Sequence, residues 1–171
     1  MNAPLGLEDA QARLLALAPL LSLEAVATHA ALGRILAENL RAARTQPAAD
    51  LSAMDGFALA PGSGPWRVMG ESRAGAPFPG VLAPGEAVHI STGAVMPEGA
   101  NRVLLREEAV LDGDSVAPIA ALPPTGQHIR RRGFDFAAGD LLLSRGARMT
   151  AGRIALALAG GRGELTVARR A

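Results

Sequence analysis

From Thr45 to about Gly139 the chain is punctuated by proline and glycine, and the apolar runs between them are short: Phe57 to Leu59, Trp66 to Met69, Ala87 to Ile90, Arg102 to Leu105 and Ser115 to Ile119. Runs of this length cannot make a packed helix, but they suit a strand. Turn signals bound them, among them Pro61-Gly62, Pro84-Gly85 and Asp112-Gly113-Asp114. The middle of the chain therefore reads as a small all-β unit, a barrel or a coiled sheet.

The flanks have a different texture. Leu7, Leu14, Leu15 and Leu17 fall largely on one helical face, Glu8 and Asp9 suit a first turn, and Pro19 would close the helix. The segment from Leu23 to Leu40 is ambiguous: AVATH alternates as a strand does, HAALGRILAENL also fits a helix, and Gly33 argues for a break with a second element over Arg34 to Leu40. Near the other end, Asp140 to Leu143 reads as a short strand. Thr150 is placed to cap a helix over Ala151 to Ala159 that Gly160-Gly161 stops, and Glu164 to Val167 can form one last strand. Neither flank can hold a core alone, so the two are expected to pack together as one discontinuous domain, residues 1–45 with 137–171, around an inserted β-rich domain, residues 46–136. The expected class is α+β, mostly β.

Composition excludes several functions. Seventeen basic against sixteen acidic groups leave a formal charge of +1, which gives no footprint for a polyanionic partner. With four Phe, one Trp and no Tyr, the chain lacks the aromatic platforms of a single-strand nucleic-acid binder. Cysteine is absent, so disulfides and thiolate metal sites are out. His29, His89 and His128 are too dispersed to suggest zinc and are expected to be structural. The start has no basic leader-like region and no apolar run is long enough to span a bilayer, so a cytoplasmic protein without nucleic-acid or membrane partners is expected.

Three polar loops share a pattern of charged or hydroxyl groups beside glycine: SAMDGFA (52–58), STGAVMPEGA (91–100) and RRRGFDF (130–136). In the first, Asp55 sits at a turn where Gly56 can take positive φ. In the second, Thr92 and Gly93 offer a hydroxyl and backbone N–H groups that suit a small anion nest. In the third, Arg130, Arg131 and Arg132 supply guanidinium forks that match phosphate or another oxyanion. Asp55 and Asp135 would repel an anion unless a hard divalent cation, Mg²⁺ by preference, bridged them to its oxygens. Structural readings stand beside these: an Asp-Gly pair is a turn, Thr92 can satisfy backbone, an arginine can pair with Glu107 or Glu108, and Asp140 reads as a turn residue.

The ordered set of ALGRILAENL (31–40), SAMDGFA, GEAVHISTGAVMPEGANRVL (85–104), REEAV (106–110) and GQHIRRRGFDFAAGDLLLSRGARMT (126–150) resembles the N-terminal region of the MoeA family, the molybdopterin molybdotransferases, to which the E domain of gephyrin is related. The similarity runs from about Leu23 to Arg170. It implies molybdenum cofactor synthesis: insertion of molybdate into molybdopterin with Mg²⁺-dependent hydrolysis of the adenylated pterin. It implies an elongated dimerisation part with an inserted β-barrel-like domain, and a site shared across a homodimer.

The family's functional positions fall on Asp55, Thr92 and Asp135, with Asp55 and Asp135 the expected metal-facing carboxylates and Ser52, Gly93, Arg130, Arg131 and Arg132 the expected cofactor-binding neighbours. Family members continue beyond the counterpart of Arg169-Arg170 into a pterin-binding third domain and usually a fourth. The expected activity therefore depends on a pterin-binding subunit or domain supplied from outside the 171 residues. The alternative implied is a non-catalytic dimerisation or interaction module that meets a molybdoenzyme or another partner. This chain departs from the family pattern at Leu51, Phe134 and Arg106, where an Asn, an acid and a Gln are usual.

Overall fold

The structure, a computed structural model, describes residues 5–17 and 21–170. In chain order the regular elements are α1 (Leu7–Leu17), β1 (Leu23–Ala27), β2 (Leu40–Arg41), β3 (Leu51–Ser52), β4 (Gly56–Leu59), β5 (Trp66–Ser72), β6 (Glu86–Ile90), β7 (Arg102–Leu105), β8 (Ala109–Asp112), β9 (Ser115–Pro118), β10 (Ile129–Arg130), β11 (Leu141–Leu143), α2 (Ala151–Ala159) and β12 (Glu164–Ala168). Two short 3₁₀ turns, Thr28–Ala30 and Arg106–Glu108, complete the set. The fold is α+β and mostly β, as the turn spacing predicts. Its contacts divide it into two compact units, Met1–Ala43 with Leu141–Ala171, and Arg44–Asp140.

In the first unit β1 and β12 pair antiparallel from Leu23↔Ala168 to Ala27↔Glu164, and β2 pairs with β11. Leu36, Leu40, Met149, Ala157, Leu165 and Val167 form the buried core, with Ile154 and Leu142 against it. The expected helix at Ala151–Ala159 is present. Thr150 Oγ1 accepts the Arg153 N–H, and the helix closes with Arg162 N–H to Ala157 O and Gly161 N–H to Leu158 O. That paired closure needs a left-handed residue just past the helix, which Gly161 supplies at φ 80°.

Two expectations for this unit need qualification. Residues 31–39 are not helical, although their spacing permits a helix: Leu36 bridges to Val167 and Ile35 to Arg148, so partners far along the chain hold the segment extended. Helix α1 forms where the leucine spacing puts it, but none of its residues is buried. Pro19, expected to end it, lies outside the described residues.

The second unit is a curled, open six-stranded sheet, a half-barrel, in the order β7-β4-β6-β5-β9-β8. Every neighbouring pair is antiparallel except β5 with β6. All of β4 is buried, because each face of the sheet carries its own core. Phe57, Leu59, Ala87 and Leu104 join Trp66 and Val116 on one side; Ala58, Ala60, Val88, Ile90 and Val103 join Leu82 and Ala94 on the other. Trp66 is enclosed, and its indole N–H donates to Ala60 O at 2.8 Å.

Candidate functional site

All three polar loops lie in the second unit, and the short strand β3 joins them. On one side, Ser52 N–H donates to Ala94 O, Gly93 N–H to Ser52 O and Met96 N–H to Asp50 O, each at 2.9 Å. On the other side β10 pairs with β3, Ile129 opposite Ser52 and Arg130 opposite Leu51. The SAMDG segment is therefore the middle member of a three-layered backbone ladder. Its side chains contribute little to that framework: the buried Ser52 hydroxyl turns inward, donating to Met54 O at 2.6 Å.

Past this ladder the chain turns at Asp55 and enters β4. No hairpin forms there, since β3 and β4 pair with different strands. The need for Gly56 is steric: a Cβ at that position would stand 2.0 Å from the Leu104 carbonyl oxygen of β7. Asp55 Oδ1 accepts two hydrogen bonds from Thr92, one from its backbone N–H at 2.7 Å and one from its hydroxyl at 3.0 Å. These bonds, the backbone one foremost, hold the Asp55 carboxyl below the usual carboxylate range, with a smaller contribution from the Arg106 charge. The Thr92-Gly93 nest is thus occupied by the protein's own carboxylate, and the Gly93 N–H is taken by Ser52.

The arginine run is engaged as well. Arg130 meets both oxygens of Asp135 at 2.5 and 2.7 Å, and its guanidinium lies 5.5 Å from the centre of the exposed Phe134 ring. Arg131 donates to Asp50 Oδ2 at 2.6 Å, the Arg132 N–H donates to Asp50 Oδ1 at 2.8 Å, and Arg132 Nε reaches Ala48 O. Asp50 is held below the ordinary range by the Arg132 N–H first and the Arg131 fork second. The carboxylates that pair with this run are Asp50 and Asp135, not Glu107 or Glu108. Asp140 accepts the Ala137 N–H at 2.8 Å, the turn role expected of it.

Of the two expected metal-facing carboxylates, Asp55 keeps Oδ2 without a partner among the described residues, while Asp135 has both oxygens on Arg130. No group of three or more His, Asp or Glu side chains placed for a metal occurs among the described residues. Asp55 alone fits as a ligand to a hard cation that draws its other oxygens from water and a phosphate, the usual mode for Mg²⁺.

Asp55 also borders a cleft of about 400 Å³ lined by Gly56, Phe57, Glu71, His89, Ser91 and Arg106, among others. Sequence reasoning missed this cleft. The parallel pairing of β5 with β6 sets Glu71 opposite His89, and the His89 ring centre lies 4.7 Å from that of Phe57. Glu71 pairs with Arg73 at 2.6 Å, which holds its carboxyl below the usual range.

Residues 5–161 match the family described as the MoeA N-terminal region, domains I and II. The chain is 39% identical over 124 residues to the molybdopterin molybdenumtransferase of Haemophilus influenzae, covering 70% of this chain and 31% of that protein. It is 39% identical over 144 residues to the enzyme of the same name from Synechococcus elongatus, covering 78% and 36%. The chain thus spans about a third of the length of these curated relatives. A crystal structure of the molybdopterin biosynthesis MoeA protein from Pyrococcus horikoshii superposes with a TM-score of 0.82 at 28% identity, over 97% of this chain and 44% of that one. On the match of nearly its whole length, the chain belongs to the MoeA family, of which it carries the N-terminal region.

Proposed function

We propose that this chain supplies part of a molybdopterin molybdotransferase site, at which molybdate is inserted into molybdopterin and the adenylated pterin is hydrolysed. The observation that carries the reading is the double hydrogen bond from Thr92 to Asp55, which fixes one carboxylate oxygen and leaves the other free beside an open cleft. A carboxylate held ionised in this way, with one oxygen open, is suited to a hard cation. Mg²⁺, when bound there, would neutralise charge on the phosphate oxygens of the substrate. Asp55 and Thr92 are the reacting pair in this reading. Asp135, Arg130, Arg131 and Arg132 shape the neighbouring loop, and Ser52 and Gly93 hold the two segments in register. The pterin itself is bound by another domain, and the two come together across a homodimer in the cytoplasm.

The test is molybdate-dependent cleavage of adenylated molybdopterin with Mg²⁺, by this chain alone and mixed with a separately prepared pterin-binding domain. Activity in the mixture that disappears with Asp55→Ala supports the reading. Silence in the mixture, with the chain folded and the other domain shown to bind pterin, sinks it. The second reading, a non-catalytic dimerisation or interaction module, draws on exposed apolar side chains: Phe134 is 72% exposed, and Leu7, Leu14, Leu15 and Leu17 of α1 are all open to solvent. That second outcome would favour it.

A further inference from the structure

The six-stranded sheet of the second unit has two outer strands, β7 and β8, and among the described residues only β7 is covered on its free side. There the Val103 N–H donates to Gln127 O and the Gly126 N–H to Asn101 O, so the loop at 126–127 closes that edge. β8 pairs with β9 alone, from Ala109↔Pro118 to Asp112↔Ser115. The Ile119 N–H donates to Glu108 O, which sets the alternation of the pair. Glu108, Val110 and Asp112 direct their peptide groups at β9, and those of Ala109 and Leu111 point out of the sheet. The Ala109 N–H is taken by Arg106 O. The Leu111 N–H and C=O have no partner among the described residues, and they leave a place for one more strand.

The side chains around that place say which strand fits it. Leu111 stands on the same face as its cross-strand neighbour Val116, a buried member of the Trp66 core, yet Leu111 itself is exposed. The apolar face of the sheet thus runs one strand further than its cover. On the opposite face Val110 is exposed between Glu108 and Asp112, and Ile119, across from Glu108, is exposed as well. Beside them a cleft of about 300 Å³ is lined by Glu107, Glu108, Ile119, Ala120 and Ala121. The carboxylates of Glu107, Glu108, Asp112 and Asp114 make no hydrogen bond or ion pair among the described residues. Such acids disfavour a second copy of the same edge: with Leu111 against Leu111, Glu108 would face Asp114 of the second copy. They favour a basic strand.

We propose that β8 is a docking edge for an extended segment of a partner protein that carries two neighbouring apolar residues with a Lys or Arg on each side. The segment adds antiparallel to β8. Its residue opposite Leu111 exchanges both backbone hydrogen bonds with it and roofs the Leu111 side chain, and the next residue covers Val110. The basic groups meet Asp112 at one end and Glu108 at the other, where the cleft takes the stem of the longer side chain. Peptide groups hold the segment, and the acids select its charge.

The test is a ¹H–¹⁵N NMR titration of the whole chain with the blocked synthetic peptide acetyl-SKVITRS-amide, read at the amides of Val110, Leu111 and Asp112. Saturable shifts at these amides are expected in the high-micromolar to millimolar range, together with slowed exchange of the Leu111 N–H. N-methylation of the peptide's valine, which faces Leu111, should weaken binding by about tenfold or more; N-methylation of its isoleucine, whose N–H points away, should change it by less than about twofold. The acidic peptide acetyl-SEVITES-amide should not bind, and Glu108→Gln with Asp112→Asn should weaken the basic peptide by about threefold. No saturable shift at 110–112, equal binding of the acidic peptide, or equal affinity of the two N-methylated peptides overturns the proposal. Concentration-dependent shifts at these amides in the free chain would do so too, by showing a second copy on the edge.

Discussion

Thr92 holds Asp55 through a single oxygen, Oδ1, using its backbone N–H at 2.7 Å and its hydroxyl at 3.0 Å. Thr92→Val removes only the hydroxyl donor, so the Asp55 pKa should rise toward its ordinary value without reaching it, since the larger, backbone contribution stays. A carboxyl-detected ¹³C titration reads this directly. The contact is exposed, so little change in stability is expected.

Gly56→Ala should be far more damaging than its position beside an exposed turn suggests. The added methyl would lie 2.0 Å from Leu104 O and 3.0 Å from Arg106 N, so β4 and β7 must separate. A loss of roughly 2–4 kcal/mol is expected in urea denaturation. Gly152→Ala, in α2 with nothing within 4 Å of the new methyl, should instead stabilise by up to about 1 kcal/mol.

Trp66 is the single tryptophan and is enclosed in the core, so its emission should be blue-shifted in the folded chain and move red on unfolding. Trp66→Ala should cost roughly 3–5 kcal/mol and leave Ala60 O without its indole donor. Melting of that variant by circular dichroism checks the figure; a change under 1 kcal/mol would mean that the sheet repacks around the void.

Asp50, Asp55, Glu24 and Glu86 all have depressed pKa values in the folded chain. Groups depressed on folding add stability that is fully present above their unfolded values, roughly 4, and is lost as pH falls through the folded values. The melting temperature should therefore be level from pH 7 to about 5 and fall below about 4. Asp50→Asn should lower the plateau and shallow the acid limb, because it removes the partner of Arg131 and weakens the acceptor for the Arg132 N–H. Parallel acid limbs for parent and variant would rule Asp50 out as a contributor.

Elements written in local chemistry were legible in the sequence. Turn-bounded runs such as Ala87 to Ile90 became β6, and Thr150 and Gly161 mark the ends of α2 by side-chain and backbone preferences that act within a few residues. Segments governed by distant partners were not. Residues 31–39 fit a helix until Leu36 finds Val167, and the arginine run looks like an anion site until Asp50, some eighty residues earlier, claims two of its members. The resemblance pointed to Asp55 and Thr92, which the fold pairs, whereas Glu71 carried no signal, His89 reads as structural, and Arg106 stands out only as a departure from the family pattern. Only the β5–β6 register and the end of β7 bring them to one cleft.

The ladder through Leu51 and Ser52 has a consequence for how this region can vary. Its rungs are peptide groups, which every residue carries alike, so the side chains at 51, 95 and 130 can be exchanged without moving the frame that presents Asp55. Proline is the exception: at 52, 93 or 96 it would strike out an N–H that a rung depends on, and no change of neighbouring side chain could restore it.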